Sequence, residues 1–396
     1  MKQSVIIDIG SSKVLAMVVS PAADGAIIVH SVKEQPYPGY RLGELPNAAA
    51  LGEAFQSISD ALRGSHGIRL RNACIGVPAP FTKIMLNSCE QPVESKSHRV
   101  TEFDIDALLE QSVDFPAPDG FELIHSSLFN FELDGMAAEH SPVGKAAKVL
   151  SADAAHTFVD AKFSDIVSDA LSIAGITADP FVSSQLADAL FTIPADDREN
   201  GALLIDCGGE HCDISLVYDN ALLCSESIAI GGEHFTRDLA YGLRLPFRTA
   251  DEVKRRYVFG LDYGNAVERV TIPGEGLALL SCGAIQSIIE ARAVRLAGSM
   301  LDVINSIERS AQAHFPLYLV GGGIALMRGG TERLSKLLGR HVYVSMPNTS
   351  RMNTVNYAPA FALAHFMLYG SGSLAVGGRR LVDDIVGNIV NFFTYR

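Results

Sequence analysis

An aspartate with a glycine two residues on, set between two apolar runs, occurs twice in this chain, at Asp8-Ile9-Gly10 and at Asp206-Cys207-Gly208, half of the 396 residues apart. Each lies between two apolar runs, Val5-Ile6-Ile7 and Val14-Leu15-Ala16 around the first, Leu203-Leu204-Ile205 and Ile214-Ser215-Leu216 around the second. A strand, a tight glycine turn and a returning strand present backbone N–H groups at the tip. Glycine lets phosphate oxygens approach the backbone with no Cβ in the way. Two such tips on two similar domains would grip a nucleotide from both sides. Asp8 and Asp206 would then face each other and hold Mg²⁺ through waters, because Mg²⁺ dehydrates reluctantly. Gly10, Ser11 and Ser12 form the first tip, and Lys13 would bring positive charge to the β- and γ-phosphates. One copy alone reads as an ordinary hairpin turn; the repeat is what favours a phosphate site.

A third glycine cluster, Gly321-Gly322-Gly323-Ile324, follows the apolar run Tyr318-Leu319-Val320. By itself this is a strand-to-helix turn. After two Asp-x-Gly hairpins it suits an adenosine lying against backbone. Asp251 and Lys254 share one helix face. They fit an acid and a base for ribose hydroxyls, and equally a solvated salt bridge.

Strands are expected over 1–20 as a hairpin, 26–32, 72–77, 122–133, 146–152, 202–218 as a second hairpin, 222–230, 315–320 and 341–344. Helices are expected over 51–62, 102–111 with Thr101 or Asp104 as cap, 164–174 stopped by Gly175, and 181–190 after Asp179-Pro180. In the second half they are expected from Gly231-Gly232 to 243, over 249–257 with Thr249 and Glu252 as a capping box, 283–313, 330–338 and 359–369. Strands and helices mix in each half, which predicts two α/β domains flanking a cleft. Residues 81–160 are more charged, with short mixed elements, and read as an inserted α+β subdomain.

The chain is long enough for two to three domains, and 48% hydrophobic content supplies large cores. A net charge of −13 excludes a nucleic-acid-binding surface. No signal peptide or bilayer-spanning run is visible. Six scattered cysteines show no metal spacing and read as small buried hydrophobes in a reducing cytoplasm. In Glu210-His211-Cys212-Asp213, strand alternation lets at most two side chains reach one ion.

These residues resemble the actin/Hsp70/sugar-kinase ATPase superfamily, and more closely the FtsA family of actin-like bacterial division proteins. Ile7-Asp8-Ile9-Gly10-Ser11-Ser12-Lys13 resembles the family's first phosphate loop, and Leu319-Val320-Gly321-Gly322-Gly323 its adenosine motif. Ile230 to Leu243 with Ala250 to Lys254 is similar to its second-domain helix pair, and Ile289-Glu290-Ala291-Arg292 to its interdomain connection. The resemblance implies an actin-like (RNase H-like) fold. Domain 1 would comprise 1–80 and 161–193 with 81–160 inserted. Domain 2 would comprise 194–230 and 309–370 with an outer subdomain at 231–308. It implies ATP and Mg²⁺ as cofactors, held by Asp8, Gly10, Ser11, Ser12, Lys13, Asp206, Gly208, Gly209, Gly232, Asp251, Lys254, Gly321, Gly322, Gly323 and Ile324. Where the family's second loop usually runs Asp-x-Gly-Gly-Gly-Thr, this one has Glu210 and His211. The glutamate adds like charge and the threonine hydroxyl is missing, leaving Gly208 and Gly209 N–H groups for phosphate. A weak or absent ATPase is therefore expected, with Asp179 and Gln185 as candidates to orient water.

Residues 371–378 read as a linker, and 379–396 as an amphipathic helix with Leu381, Ile385, Ile389, Phe392 and Phe393 on its apolar face. Ordering entropy offsets most of its burial energy, so one tail would bind lipid weakly and an array strongly. The whole reads as an ATP-binding protein polymerising on the cytoplasmic face of the bacterial inner membrane at midcell. By resemblance it tethers the C-terminal peptide of the ring protein FtsZ and recruits other division proteins. Two alternatives are a pilus-type scaffold binding a membrane protein's peptide and a superfamily sugar kinase or phosphatase.

Overall fold

The computed structural model describes residues 3–370 except 24, 42, 46, 67–70, 96–97, 115, 139–140 and 347–353. The amphipathic segment 379–396 and its linker lie outside the described residues.

The first half opens with β1 (Ser4–Ile9), β2 (Lys13–Pro21) and β3 (Ile27–Pro36), then α1 (Ala48–His66) and β4 (Asn72–Val77). An inserted block follows: β5 (Thr82–Pro92), α2 (Glu102–Ser112), β6 (Phe121–Leu133), β7 (Met136–Ala137) and β8 (Val149–Asp160). The half closes with α3 (Ala161–Ile173), β9 (Thr177–Ser183), α4 (Ser184–Thr192) and α5 (Ala195–Asn200). The second half runs β10 (Ala202–Cys207), β11 (Cys212–Tyr218), β12 (Ala221–Ile228), α6 (Gly232–Leu243), α7 (Phe247–Arg256), β13 (Val267–Ile272), β14 (Gly276–Ser281) and α8 (Cys282–Ala311). It ends with β15 (Leu317–Val320), α9 (Gly330–Leu338), β16 (Val342–Val344) and α10 (Ala358–Tyr369).

Two five-stranded sheets share one plan. Their orders are β3-β2-β1-β4-β9 and β12-β11-β10-β15-β16. In each, three antiparallel strands meet two parallel ones. The strand interiors are apolar on both faces, as expected for sheets covered on both sides. The inserted block forms its own sheet, β5-β8-β6-β7, with α2 packed on it.

Alternation along the strands decides which helices cover which face. In β1, Val5, Ile7 and Ile9 pack against Leu51, Phe55 and Leu62 of α1 and Phe163, Val167 and Leu171 of α3. Ile6, with Leu15 and Met17 of β2, turns the other way, onto Ala360, Phe361, Leu363 and Ala364 of α10. The second sheet repeats this. Leu203, Ile205 and Cys207 face α6, α8 and α9, while Ala202 and Leu204 face Leu186, Ala189 and Ile193 at α4. α4 of the first half and α10 of the second thus each cover the inner face of the other half's sheet. The first part of α10, Ala358 and Ala360 to Ala364, is apolar and buried all round, and small residues such as Ala187 and Ala360 let it pack close to α4.

Several local expectations are corrected. Asp179-Pro180 does not start a helix; it lies within β9, and α4 begins at Ser184, with the Ser183 hydroxyl accepting from Leu186 N–H at 3.3 Å. α7 begins at Phe247 after Pro246, so Thr249 is a buried residue inside the helix and caps nothing. The 146–152 strand starts later and runs to Asp160. β5 and the exposed β13–β14 hairpin are additional strands. At α2, Thr101 is the cap and Asp104 the reciprocal partner.

Candidate functional site

Parity places the two repeated aspartates. Asp8 follows Ile6 onto the inner face of the first sheet, and Asp206 follows Leu204 onto the inner face of the second. Both line an inter-sheet cleft of about 520 Å³. Gly10, Ser11, Ser12, Lys13, Gly208, Gly209, Gly232, Asp251, Lys254, Gly321, Gly322 and Gly323 line it as well. Ile324 does not: it is fully buried in the second-half core. Gln185 lies on the cleft floor, whereas Asp179 is an exposed residue early in β9, away from the strand's cleft end.

The two tips have the same hydrogen bonding. Gly10 N–H donates to Lys13 C=O and Gly208 N–H to His211 C=O, each at 2.9 Å. Neither of these N–H groups is left for a phosphate, which corrects the role expected of Gly208. The tips also touch: Glu210 N–H donates to Ser11 Oγ at 3.1 Å.

The side chains of the tips differ from expectation in ways that tertiary contacts explain. Lys13 Nζ pairs with Glu34 of β3 at 2.8 Å, so its charge is shared before any ligand arrives. Glu210 turns out of the cleft to Arg237 of α6, with Oε2 at 2.8 Å from Nη1 and Oε1 bonded to Nη2. Burial works to raise the Glu210 carboxyl, and the Arg237 fork overcomes it, holding the group below the usual range. His211 is buried and stacked on Tyr40, with centroids 5.0 Å apart and planes 10° off parallel. Tyr40 belongs to a strap after β3 that lies on the first tip. At Gly39, φ is +77° and a Cβ would overlap the Ser11 carbonyl oxygen at 1.7 Å.

The other glycines chiefly let backbones meet. Gly232 N–H donates to Gly208 C=O at 2.9 Å and Glu233 N–H to Gly209 C=O at 2.8 Å, so the second loop caps α6. Gly323 N–H donates to Cys207 C=O at 2.6 Å. A Cβ would fall 2.4 Å from Gly208 O at Gly323, 2.7 Å from Gly323 Cα at Gly232 and 2.3 Å from Asp206 Oδ1 at Gly321. Close packing of three segments accounts for these positions before any nucleoside is considered. Asp251 and Lys254 form their salt bridge at 2.7 Å while both line the cleft; Lys254 also donates to Thr236 Oγ1 at 2.8 Å.

Sequence reasoning missed Asp188 and weighed Asp213 only within the run Glu210-His211-Cys212-Asp213. Asp213 lies directly across the ladder from Asp206, a position readable once the hairpin register is known. Asp188 sits on α4, fully buried, with neither oxygen hydrogen-bonded among the described residues; Gln185 Oε1 and Ser184 Oγ nearby are likewise without partners. Desolvation raises the carboxyl groups here: Asp8 to about 6 against the pull of Lys13, Asp213 to about 7 against a 2.5 Å bond from Ser227, and Asp206 to about 8 with Asp213 and Asp8 adding to it. Asp188 is raised well above the carboxylate range by burial and then by Asp206, Asp8 and Asp213. Such unpaired acids are costly and suit a site completed by a cation. No three acidic, histidine or cysteine side chains among the described residues converge for direct coordination.

A hollow of about 580 Å³ at the end of α8 lacks this character. Of its two acids, Asp302 and Glu308, Glu308 is already bonded by Phe315 N–H at 3.0 Å, Arg340 at 2.7 Å and His314 at 2.8 Å.

Comparison with known proteins agrees with this geometry. The family model for cell division protein FtsA matches residues 203–365. FtsA of Pseudomonas aeruginosa is 26% identical over 352 residues, covering 87% of this chain and 83% of that protein. FtsA of Neisseria meningitidis serogroup B is 24% identical over 380 residues, covering 93% and 91%. Among solved structures, a PilM-PilN type IV pilus biogenesis complex has a TM-score of 0.59 at 19% identity, covering 91% of this chain and 97% of that one. MreB5 of Spiroplasma citri bound to AMPPNP has a TM-score of 0.51 at 13% identity, covering 92% and 96%. FtsA proteins are thus similar to this chain along most of its length, and its two RNase H-like halves close on one cleft in an actin-like fold.

Proposed function

We propose that the protein is a nucleotide-gated scaffold of bacterial cell division. It binds ATP with Mg²⁺ in the inter-sheet cleft and assembles into filaments on the membrane. The observation that carries this reading is the convergence of two hydrogen-bond-matched Asp-x-Gly tips, with their acids facing inward, on one cleft. Asp8 and Asp206 would hold the hydrated ion, and Asp188 and Asp213 would add to its field. Lys13 would leave Glu34 for phosphate. Bound Mg²⁺ would neutralise phosphate charge. Gln185, which lines the cleft with its amide oxygen unpartnered among the described residues, would orient a water, whereas Asp179 lies exposed outside that lining. Turnover should be slow, because the tips are held by their own hydrogen bonds and the second lacks a threonine hydroxyl. Nucleotide then acts by favouring the closed form.

Attachment would run through residues 379–396, and the tubulin-like ring protein FtsZ would dock by its C-terminal peptide on the second half between 233 and 300. A fluorescent ATP analogue titrated with Mg²⁺ and then with EDTA tests the cleft. Saturable binding lost on Asp206→Asn is expected; binding unchanged by both EDTA and the substitution would refute the site. Pelleting with liposomes, with and without 379–396, followed by electron microscopy, tests assembly.

The likeness to a pilus biogenesis complex, higher in TM-score than that to MreB5, favours a second reading. There the same cleft stabilises a scaffold whose partner is a peptide of a membrane protein. That reading expects nucleotide binding without filaments and no loss of liposome binding on removing the tail.

A further inference from the structure

Two of the six cysteines, far from scattered, meet. Cys207 ends β10 and Cys212 begins β11; they are paired in register, with their sulfur atoms 2.9 Å apart. The ladder explains why. Gly208 and His211 carry a cross-strand hydrogen bond at 2.9 Å, so the next pair down, 207 with 212, is a non-hydrogen-bonded one. In such pairs Cα atoms lie about 4.5 Å apart and side chains lean together, within the separations of about 4.4–6.8 Å that a disulfide spans. The equivalent pair of the first hairpin is Ile9 with Val14, so the fold itself demands only apolar side chains here. Both sulfurs sit in the second-half core directly under the tip that lines the cleft.

We propose that Cys207 and Cys212 are a reversible dithiol–disulfide modification site at the base of the second loop, oxidised by small oxidants of the peroxide class. One thiol, as its thiolate, attacks the peroxide O–O bond, giving a sulfenic acid and, with one proton, a water. The second thiol displaces the sulfenic oxygen, which leaves as another water, and the S–S bond forms. Two thiols lose two electrons and two protons; the peroxide is reduced to two waters. Burial pushes the Cys212 thiol up, so reaction awaits opening of the tip and is slow compared with an exposed thiol. In a reducing compartment such a pair is a sensor, not a permanent staple. The bond would covalently close the four-residue tip 208–211 that carries the Glu210 link to Arg237 and the His211 stack on Tyr40.

The test uses the full chain with hydrogen peroxide, followed by unfolding, alkylation and peptide mapping by mass spectrometry. The expected result is a loss of two alkylatable thiols, a 207–212 crosslinked species that dithiothreitol reverses, and full labelling of Cys74, Cys89, Cys224 and Cys282. Full labelling of Cys207 and Cys212 after treatment, or linkage of either to another cysteine, would overturn the proposal. Cys207→Ser and Cys212→Ser should each abolish the species, and the wild-type map decides the matter even if a variant folds poorly. The outcome is independent of whether the cleft takes a nucleotide.

Discussion

The tip of β1–β2 and the tip of β10–β11 have one backbone and two loads. Asp8 faces Leu15 across its ladder, whereas Asp206 faces Asp213. Lys13 of the first tip has one acidic partner in Glu34; at the same place in the second stands a neutral His211 stacked on Tyr40. The first tip is clamped from outside by the strap at Gly39, and the second by α6 and the Gly321-Gly322-Gly323 turn. The backbone repeat therefore defines where a phosphate would lie, while the side chains make the second half the more acidic, more tightly packed partner.

Breaking the packing should have the largest effect. Gly323→Ala must force a Cβ to 2.4 Å from Gly208 O. We expect a loss of about 1–3 kcal/mol or more, as for overpacked cores, read as a fall in the urea midpoint. Gly208→Ala, whose Cβ would meet nothing nearer than 3.4 Å, should cost well under half of that. Equal costs would mean that the second tip is not held by this glycine contact.

The acidic asymmetry is tested by pH. Asp206, Asp213 and Asp188 keep protons in the folded protein at pH values where the unfolded chain has lost them. Acids with raised folded values stabilise at low pH, and that contribution disappears as pH rises through those values. Buried histidines such as His125, lowered to about 4, oppose this only below about pH 6.5. From pH 6.5 to 8 the nucleotide-free protein should therefore lose Tm, and Asp213→Asn or Asp188→Asn should flatten the fall. Asp8, raised only to about 6, should leave the slope nearly intact when changed to Asn. A Tm that rises over this range would show that these buried acids do not keep their protons near neutral pH.

A smaller effect is expected at Arg237. Releasing Glu210 by Arg237→Ala should weaken binding of an ATP analogue by roughly fivefold, about 1 kcal/mol for a part-exposed pair. Adding Glu210→Gly should restore it. No restoration would show that Arg237 matters for something other than neutralising that carboxylate.

The inner placement of Asp8 and Asp206 was legible, because alternation along a strand is strict and the two motifs share one offset from their glycines. α6 and α9 were legible too, since glycines mark their starts and apolar spacing their faces. Asp179-Pro180 misled for a local reason: proline suits both the first turn of a helix and an edge strand, and the cap that decides is Ser183, three residues on. Asp188, the Lys13–Glu34 pair, the Tyr40–His211 stack and the Cys207–Cys212 contact depend on register or on segments distant in sequence. No window of local pattern contains the first three, and the cysteine pair, five residues apart in one hairpin, needs the register of that hairpin.

The exchange of α4 and α10 bears on how the chain is made. During synthesis the sheet of the first half has an inner face that stays bare until residues 358–369 arrive to cover it. Folding of the first half is thus completed by the last part of the second, with the slow, long-range closure that such contacts impose. A cut between α5 and β10 should yield two fragments that aggregate when produced singly and combine into one soluble particle when produced together.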